Sequence, residues 1–254
     1  MREVITAIRA TAAALPDRLA ISETAGTLTY AELTSSIDRL AAALVNCPDI
    51  VGLLMPRGAA YVVADLALAA LGRTIVPLPD FFSLEQWQHM VSDARMGAVL
   101  TTLEECGRLT GLAVPVLLAE PLAEAAPIQA AASRRIIYTS GTTGRPKGVV
   151  LDETAMTASL NGLAQAVGVR ADDIHLSALP FSLLLEQLAG ILLPLKSGAR
   201  LHIAASPQQV PQEAERVGAT TSVLVPDLLA GWVGGLRQSG RKAPSSLRFV
   251  AVGG

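Results

Sequence analysis

The chain has 254 residues, of which 51% are hydrophobic and 17% charged, with a net charge of −2. That length is enough for a real core, as one large domain or two small ones. The composition excludes a disordered chain and points to elements buried on both faces. The charge balance, together with only 4% aromatics and no basic run among them, points to neither nucleic acid nor an anionic membrane.

Val4, Ile5, Ile8 and Ala12 recur at helical spacing, which predicts an opening helix that ends before Pro16. Leu19–Ile21 and Leu28–Tyr30 flank a turn at Ala25-Gly26 and predict a small hairpin. From Thr29 the pattern turns helical through Leu33, Ile37, Leu40 and Leu44. Alternating elements follow. They are a strand over 50–54, a helix over 59–71 closed by Gly72, and a strand over 74–78. A helix over 83–94 is next, with Ser83 as N-cap and Gln86 at the capping-box position, and then a strand over 97–101. Residues 104–127 read as a loose connection with one short strand, 114–118.

Ile136-Ile137 and Val149-Val150-Leu151 bracket the run Tyr138-Thr-Ser-Gly-Thr-Thr-Gly-Arg-Pro-Lys-Gly148, so a flexible loop stands between two strands. Its glycines let main-chain N–H groups approach an anion, and its hydroxyls and Lys147 add donors and charge. Such a loop suits a polyphosphate. It is not G-x-x-x-x-G-K-[ST], because Pro146 separates Lys147 from a preceding glycine, and it lacks G-x-G-x-x-G. Beyond it, strands over 174–178, 199–203 and 221–225 alternate with helices over 183–195, closed by Ser197-Gly198, and 208–217. The fold class is therefore α/β: two β-α-β-α-β parallel-sheet units, about 50–101 and 174–225, with helices on both faces.

Cys47 and Cys106 form no C-x-x-C and stand beside no pair of histidines, so they read as reduced, cytoplasmic thiols and no metal site is expected in this chain. His89, His175 and His202 are scattered and read as structural or surface residues. There is no G-x-S-x-G elbow. The mixed charge of Met1–Ile5 is unlike a signal peptide. The longest apolar stretches are broken by Asp65 and Arg73, or by Glu186 and Lys196, short of the ~18 residues of a membrane span.

The loop Thr139–Gly148 matches [ST]-S-G-[ST]-T-G-x-P-K-G at every position and so resembles the signature of the adenylate-forming enzymes: acyl-CoA synthetases, peptide-synthetase adenylation domains and luciferases. Leu28–Leu33 resembles that family's LTYxEL segment. Ala67–Leu78 resembles its A-x-L-K-A-G-A-x-x-V-P-L, with Arg73 for the usual Ala. Leu247–Gly254 resembles the strand leading to its adenine-binding loop. The resemblance implies the front portion of a large domain with two facing sheets, made of subdomain-like units of about 50–130 and 131–254, with the C-terminal domain absent. It assigns the β- and γ-phosphates of ATP to Thr139, Ser140, Gly141, Thr142, Thr143, Gly144 and Lys147, with Lys147 as the catalytic cation. Phe181 and Ser182, the latter standing for the family's usual His, become acyl-pocket candidates, and Gly253 and Gly254 adenine-side candidates.

The implied activity is that of an AMP-forming acid–thiol ligase. It uses ATP and Mg2+ to convert a carboxylic acid to acyl-AMP, then passes the acyl group to CoA or a carrier protein. Since the family's Tyr-Gly-x-Thr-Glu motif, ribose-binding Asp and C-terminal Lys would follow Gly254, this chain alone is expected to be inactive. Two other readings remain open: a non-catalytic nucleotide-binding or scaffold fragment that keeps the phosphate loop, and another ATP-using enzyme such as a kinase.

Overall fold

The computed structural model describes residues 1–139 and 145–253. In chain order the elements are α1 (Arg2–Ala14), β1 (Leu19–Glu23), β2 (Gly26–Thr29), α2 (Tyr30–Ala43), β3 (Ile50–Leu53), α3 (Ala59–Ala70), β4 (Thr74–Pro77), α4 (Leu84–Ala94), β5 (Ala98–Thr101), β6 (Val116–Leu118), β7 (Arg134–Thr139), β8 (Lys147–Leu151), α5 (Glu153–Val167) and β9 (Ile174–Ser177). There follow π-helical turns over Glu186–Leu192, then α6 (Leu193–Lys196), β10 (Arg200–Ile203), α7 (Val210–Val217), β11 (Thr221–Leu224), α8 (Pro226–Ser239) and β12 (Phe249–Val252). The chain forms two compact units, one of Met1–Thr6 with Glu32–Ala158 and one of Ala7–Ala31 with Ser159–Gly254.

The first unit holds a six-stranded sheet in the order β6-β5-β3-β4-β7-β8. All its pairings are parallel except the last, where β8 runs antiparallel to β7 at the edge. Helix α3 is apolar nearly all round and is buried without a break over Tyr61–Ala70, as such a helix must be. Helix α4 is amphipathic. Its Trp87, Met90 and Ala94 join Leu54, Val76, Leu78, Val99 and Tyr138 in one core cluster. Ser83 and Gln86 form the reciprocal capping box that their spacing predicts.

The second unit holds another six-stranded sheet, β12-β11-β9-β10-β1-β2, again parallel throughout except for an edge hairpin, here β1–β2. Its core gathers Leu176, Ala178, Val210, Leu224 and Trp232. Gly72 and Gly198 close equivalent helices. Both take the left-handed conformation, with φ of 71° and 75°. The next residue in each case sends its N–H back to a carbonyl five residues earlier, Arg73 to Leu68 and Ala199 to Pro194, each at 3.0 Å.

The expected α-helix over 183–195 is corrected to π-helical turns before α6. Glu186 is fully buried and accepts a hydrogen bond from the Ser177 hydroxyl. A Cβ on Gly190 would come within 2.5 Å of its carboxylate, so a widened turn and a missing side chain together make room for the buried acid. Helices α5 and α8 are additions that the apolar spacing did not announce.

Candidate active site

The motif Thr139–Gly148 lies at the β7–β8 hairpin, at the edge of the first sheet. The register pairs Thr139 with Lys147, Tyr138 with Gly148 and Ile137 with Val149. Thr139 and Lys147 therefore face each other at the two stems, and both are exposed. Among the described residues Lys147 has no ion-pair partner. A hydroxyl and an ammonium side by side are a pair of hydrogen-bond donors of the kind an anion can accept from. Ser140, Gly141, Thr142, Thr143 and Gly144 lie outside the described residues, as does Gly254.

Three features fix the stems. Arg135, the second residue of β7, is fully buried and makes a bidentate pair with Asp65 of α3, both bonds at 2.5 Å. The Tyr138 hydroxyl donates to Asp93 of α4 at 2.6 Å. Burial, reinforced by that carboxylate, pushes the phenol's pKa up and keeps it protonated. Gly148 closes the set, because a Cβ there would meet Ile136 Cγ2 at 2.9 Å and the Tyr138 ring at 3.0 Å. The motif's last glycine is thus required by a close cross-strand approach. Its φ imposes nothing.

In the second unit, Phe181 and Ser182 precede the π-helical turns and both are buried. The Phe181 carbonyl accepts from Gln187 Nε2 at 2.9 Å. The Ser182 hydroxyl has no hydrogen-bond partner among the described residues. Gly253, at the end of β12, packs on Leu185, whose Cδ2 would lie 3.3 Å from a Cβ there. Gly253 thus packs on the segment that follows Ser182.

Strand β12 is held by Arg248, which makes a two-bond pair with Asp173 at 2.6 and 2.9 Å. Burial alone would raise the Asp173 pKa, but the hydrogen bonds from Arg248, Thr220 and the Arg170 amide hold it below the usual range. Beside this strand lies a mainly apolar cavity of about 110 Å³, lined by Leu185, Ala189, Val223, Ala251 and His175 among others. Burial drives the His175 pKa down to about 4, so the imidazole is neutral there.

Asp65, Asp93, Arg135 and His89 carry no functional assignment in the sequence reading. The only signal for Asp65 is a charge interrupting an apolar helix, and for Arg135 a charge within a buried strand.

The class of this α/β chain follows from its likeness to known proteins. The family model "AMP-binding enzyme" matches residues 8–254. The chain belongs to that family. Nonribosomal peptide synthetase vlms of a Lecanicillium species is 31% identical over 224 residues, 83% of this chain and 2% of its own. Syringomycin synthase SyrB1 of Pseudomonas syringae is 28% identical over 257 residues, 94% of this chain and 41% of its own. O-succinylbenzoate coenzyme A synthetase (MenE) from Bacillus subtilis, solved in complex with AMP, superposes with a TM-score of 0.84 at 25% identity, covering 98% of this chain and 67% of that one. The chain thus spans only a small part of several curated relatives.

Proposed function

We propose that this chain supplies the phosphate-binding and acyl-binding parts of an AMP-forming ligase. A carboxylate oxygen of the substrate acid attacks the α-phosphorus of ATP. The bond to the β-phosphate oxygen breaks, and pyrophosphate leaves. A thiol then attacks the acyl carbon of the adenylate, and AMP leaves with the bonding pair. The thiol belongs to a carrier protein or to CoA, and the predominance of peptide synthetases among the sequence relatives favours the carrier protein.

The observation that carries the reading is the pairing of Thr139 with Lys147 at the mouth of the signature loop. In this transfer, positioning and neutralising the β- and γ-phosphates supply most of the catalysis. Thr139 donates a hydrogen bond, and the compact Lys147 ammonium offsets charge on the departing pyrophosphate. Ser140, Gly141, Thr142, Thr143 and Gly144 belong to the same proposal through their hydroxyls and amides. Magnesium enters as the counter-ion of ATP. Among the described residues no cluster of three His, Cys, Asp or Glu side chains converges to hold it, and the residues named here act on the phosphates directly. Phe181 and Ser182 remain the acyl-side candidates, and Gly253 and Gly254 the adenine-side candidates, of this reading.

The test is Lys147→Ala in the whole protein, read by carboxylate-dependent exchange of labelled pyrophosphate into ATP. One lost charge-assisted contact is worth roughly 1.5–3 kcal/mol, so kcat/KM for ATP falls about ten- to a hundredfold while the KM for the acid holds. Arg does not fully restore the rate, because its planar fork differs from a compact ammonium. Parental kinetics in the Ala variant would remove Lys147 from the mechanism. ATP binding without any exchange would favour a nucleotide-binding scaffold instead.

A further inference from the structure

Helix α4 touches both stems of the signature loop. His89 and Asp93 lie four residues apart, on one face of the helix. Asp93 accepts from the Tyr138 hydroxyl at 2.6 Å, and the next residue along β7 is Thr139. His89 Nε2 donates to the Pro146 carbonyl at 3.0 Å, and the next residue along β8 is Lys147. Each contact therefore fixes the immediate neighbour of one member of the Thr139–Lys147 pair. The helix that delivers them is anchored independently, by Trp87 and Met90 in the core, by the Trp87 Nε1 bond to the Pro79 carbonyl at 2.9 Å, and by its capping box. A polar cleft of about 610 Å³ runs beside this contact, lined by His89, Ser92, Arg145 and Pro146 among others. Pro146 itself is buried, and the His89 bond adds a directional contact to that packing.

We propose that α4 is a clamp on the loop, with His89 and Asp93 as positioning residues that set the separation and aim of Thr139 and Lys147. Pro146 suits this arrangement. It offers a carbonyl while its ring restricts φ, so one hydrogen bond fixes the approach to Lys147. His89 acts only through its Nε2–H, so a side chain with an amide N–H of similar reach can replace it. The effect on ATP rests on the ligase reading, whereas the clamp itself can be tested without any activity.

Limited digestion with trypsin reads the clamp on the full chain. The Arg145–Pro146 bond resists trypsin, so cleavage at the Lys147–Gly148 bond reports the opening of the β8 stem alone. His89→Ala and Tyr138→Phe are each expected to speed that cut roughly tenfold while cleavage after Arg237 and Arg241 keeps its parental rate. His89→Gln returns it to near the parental rate. Parental cleavage in His89→Ala, or an equal acceleration at all sites, overturns the clamp. In the whole protein, His89→Ala lowers kcat/KM for ATP about tenfold with the KM for the acid unchanged, and His89→Gln restores it. A parental kcat/KM for ATP in His89→Ala, or no rescue by Gln, overturns positioning. Faster site-specific proteolysis in a protein without ATP-dependent exchange keeps the clamp and removes the ligase reading.

Discussion

The two units are built on one plan. In each, the first strand of the alternating run is flanked by the second and third, the fourth joins the third, and a hairpin adds its first strand in parallel to the second: β6-β5-β3-β4-β7-β8 against β12-β11-β9-β10-β1-β2. The difference lies in what anchors each hairpin and what it carries. The β1–β2 hairpin closes in a short turn. Its Ser22 hydroxyl bonds His202 Nδ1 at 2.8 Å on the neighbouring strand, and His202 Nε2 donates to Glu213 at 2.7 Å. The β7–β8 hairpin carries the signature loop, and its anchor is the buried ion pair of Arg135 with Asp65. One scaffold thus holds a short turn backed by a histidine–carboxylate network, and a loop-bearing hairpin anchored by an Arg–Asp pair. The Arg135–Asp65 pair gives its hairpin two parallel charge-assisted bonds, whereas the other hairpin leans on an imidazole whose pKa burial lowers.

The largest effect should come from breaking the charged anchor. Asp65→Ala removes the carboxylate partner of a buried guanidinium and is expected to lower stability by about 3–5 kcal/mol. Glu213→Ala in the histidine network costs about 1–3 kcal/mol. Urea denaturation of the two variants measures both, and equal losses would erase the contrast.

Next comes pH. Burial holds His175 at about 4 against 6.5 for the free side chain, and burial also lowers His202, with Glu213 only partly opposing it. The unfolded chain therefore takes up protons that the fold refuses between pH 6.5 and 4. Stability is complete above 6.5 and falls as pH drops through that window, by roughly 3 kcal/mol for His175. Both histidines belong to the second unit. The two tryptophans, Trp87 in the first unit and Trp232 in the second, report the units separately. Fluorescence of single-tryptophan variants should show Trp232 responding to acid before Trp87, and His175→Asn should flatten its slope. Simultaneous responses would mean the two units do not differ in this way.

A smaller effect is expected at the hairpin surface. Gly148→Ala forces a methyl against the Tyr138 ring and should cost about 1–3 kcal/mol, seen as a lowered thermal midpoint. The smallest is Lys147→Ala. With its side chain exposed, it should change stability by less than about 0.5 kcal/mol, although the ATP-dependent rate falls. A large loss of stability there would make Lys147 a structural residue.

Much of this was legible in the sequence. Alternating apolar runs gave the parallel strands, the glycines at 72 and 198 gave the helix ends, Ser83 and Gln86 gave a cap, and the apolar runs on either side of the motif gave β7 and β8. All are local signals, carried by a few adjacent residues whose periodicity and backbone preferences act over one or two turns or one strand. Tertiary structure alone decided the strand order, the edge position of each hairpin, and the partners of the buried polar groups. Asp65 and Arg135 are 70 residues apart and Ser22 and His202 are 180 apart, so no window of sequence contains both members. A buried charge or imidazole declares a need for a partner, since leaving it unpaired is costly, but it does not name one. Which side chain answers is settled only when the apolar faces of the whole chain have packed and brought two distant strands or helices within hydrogen-bond reach.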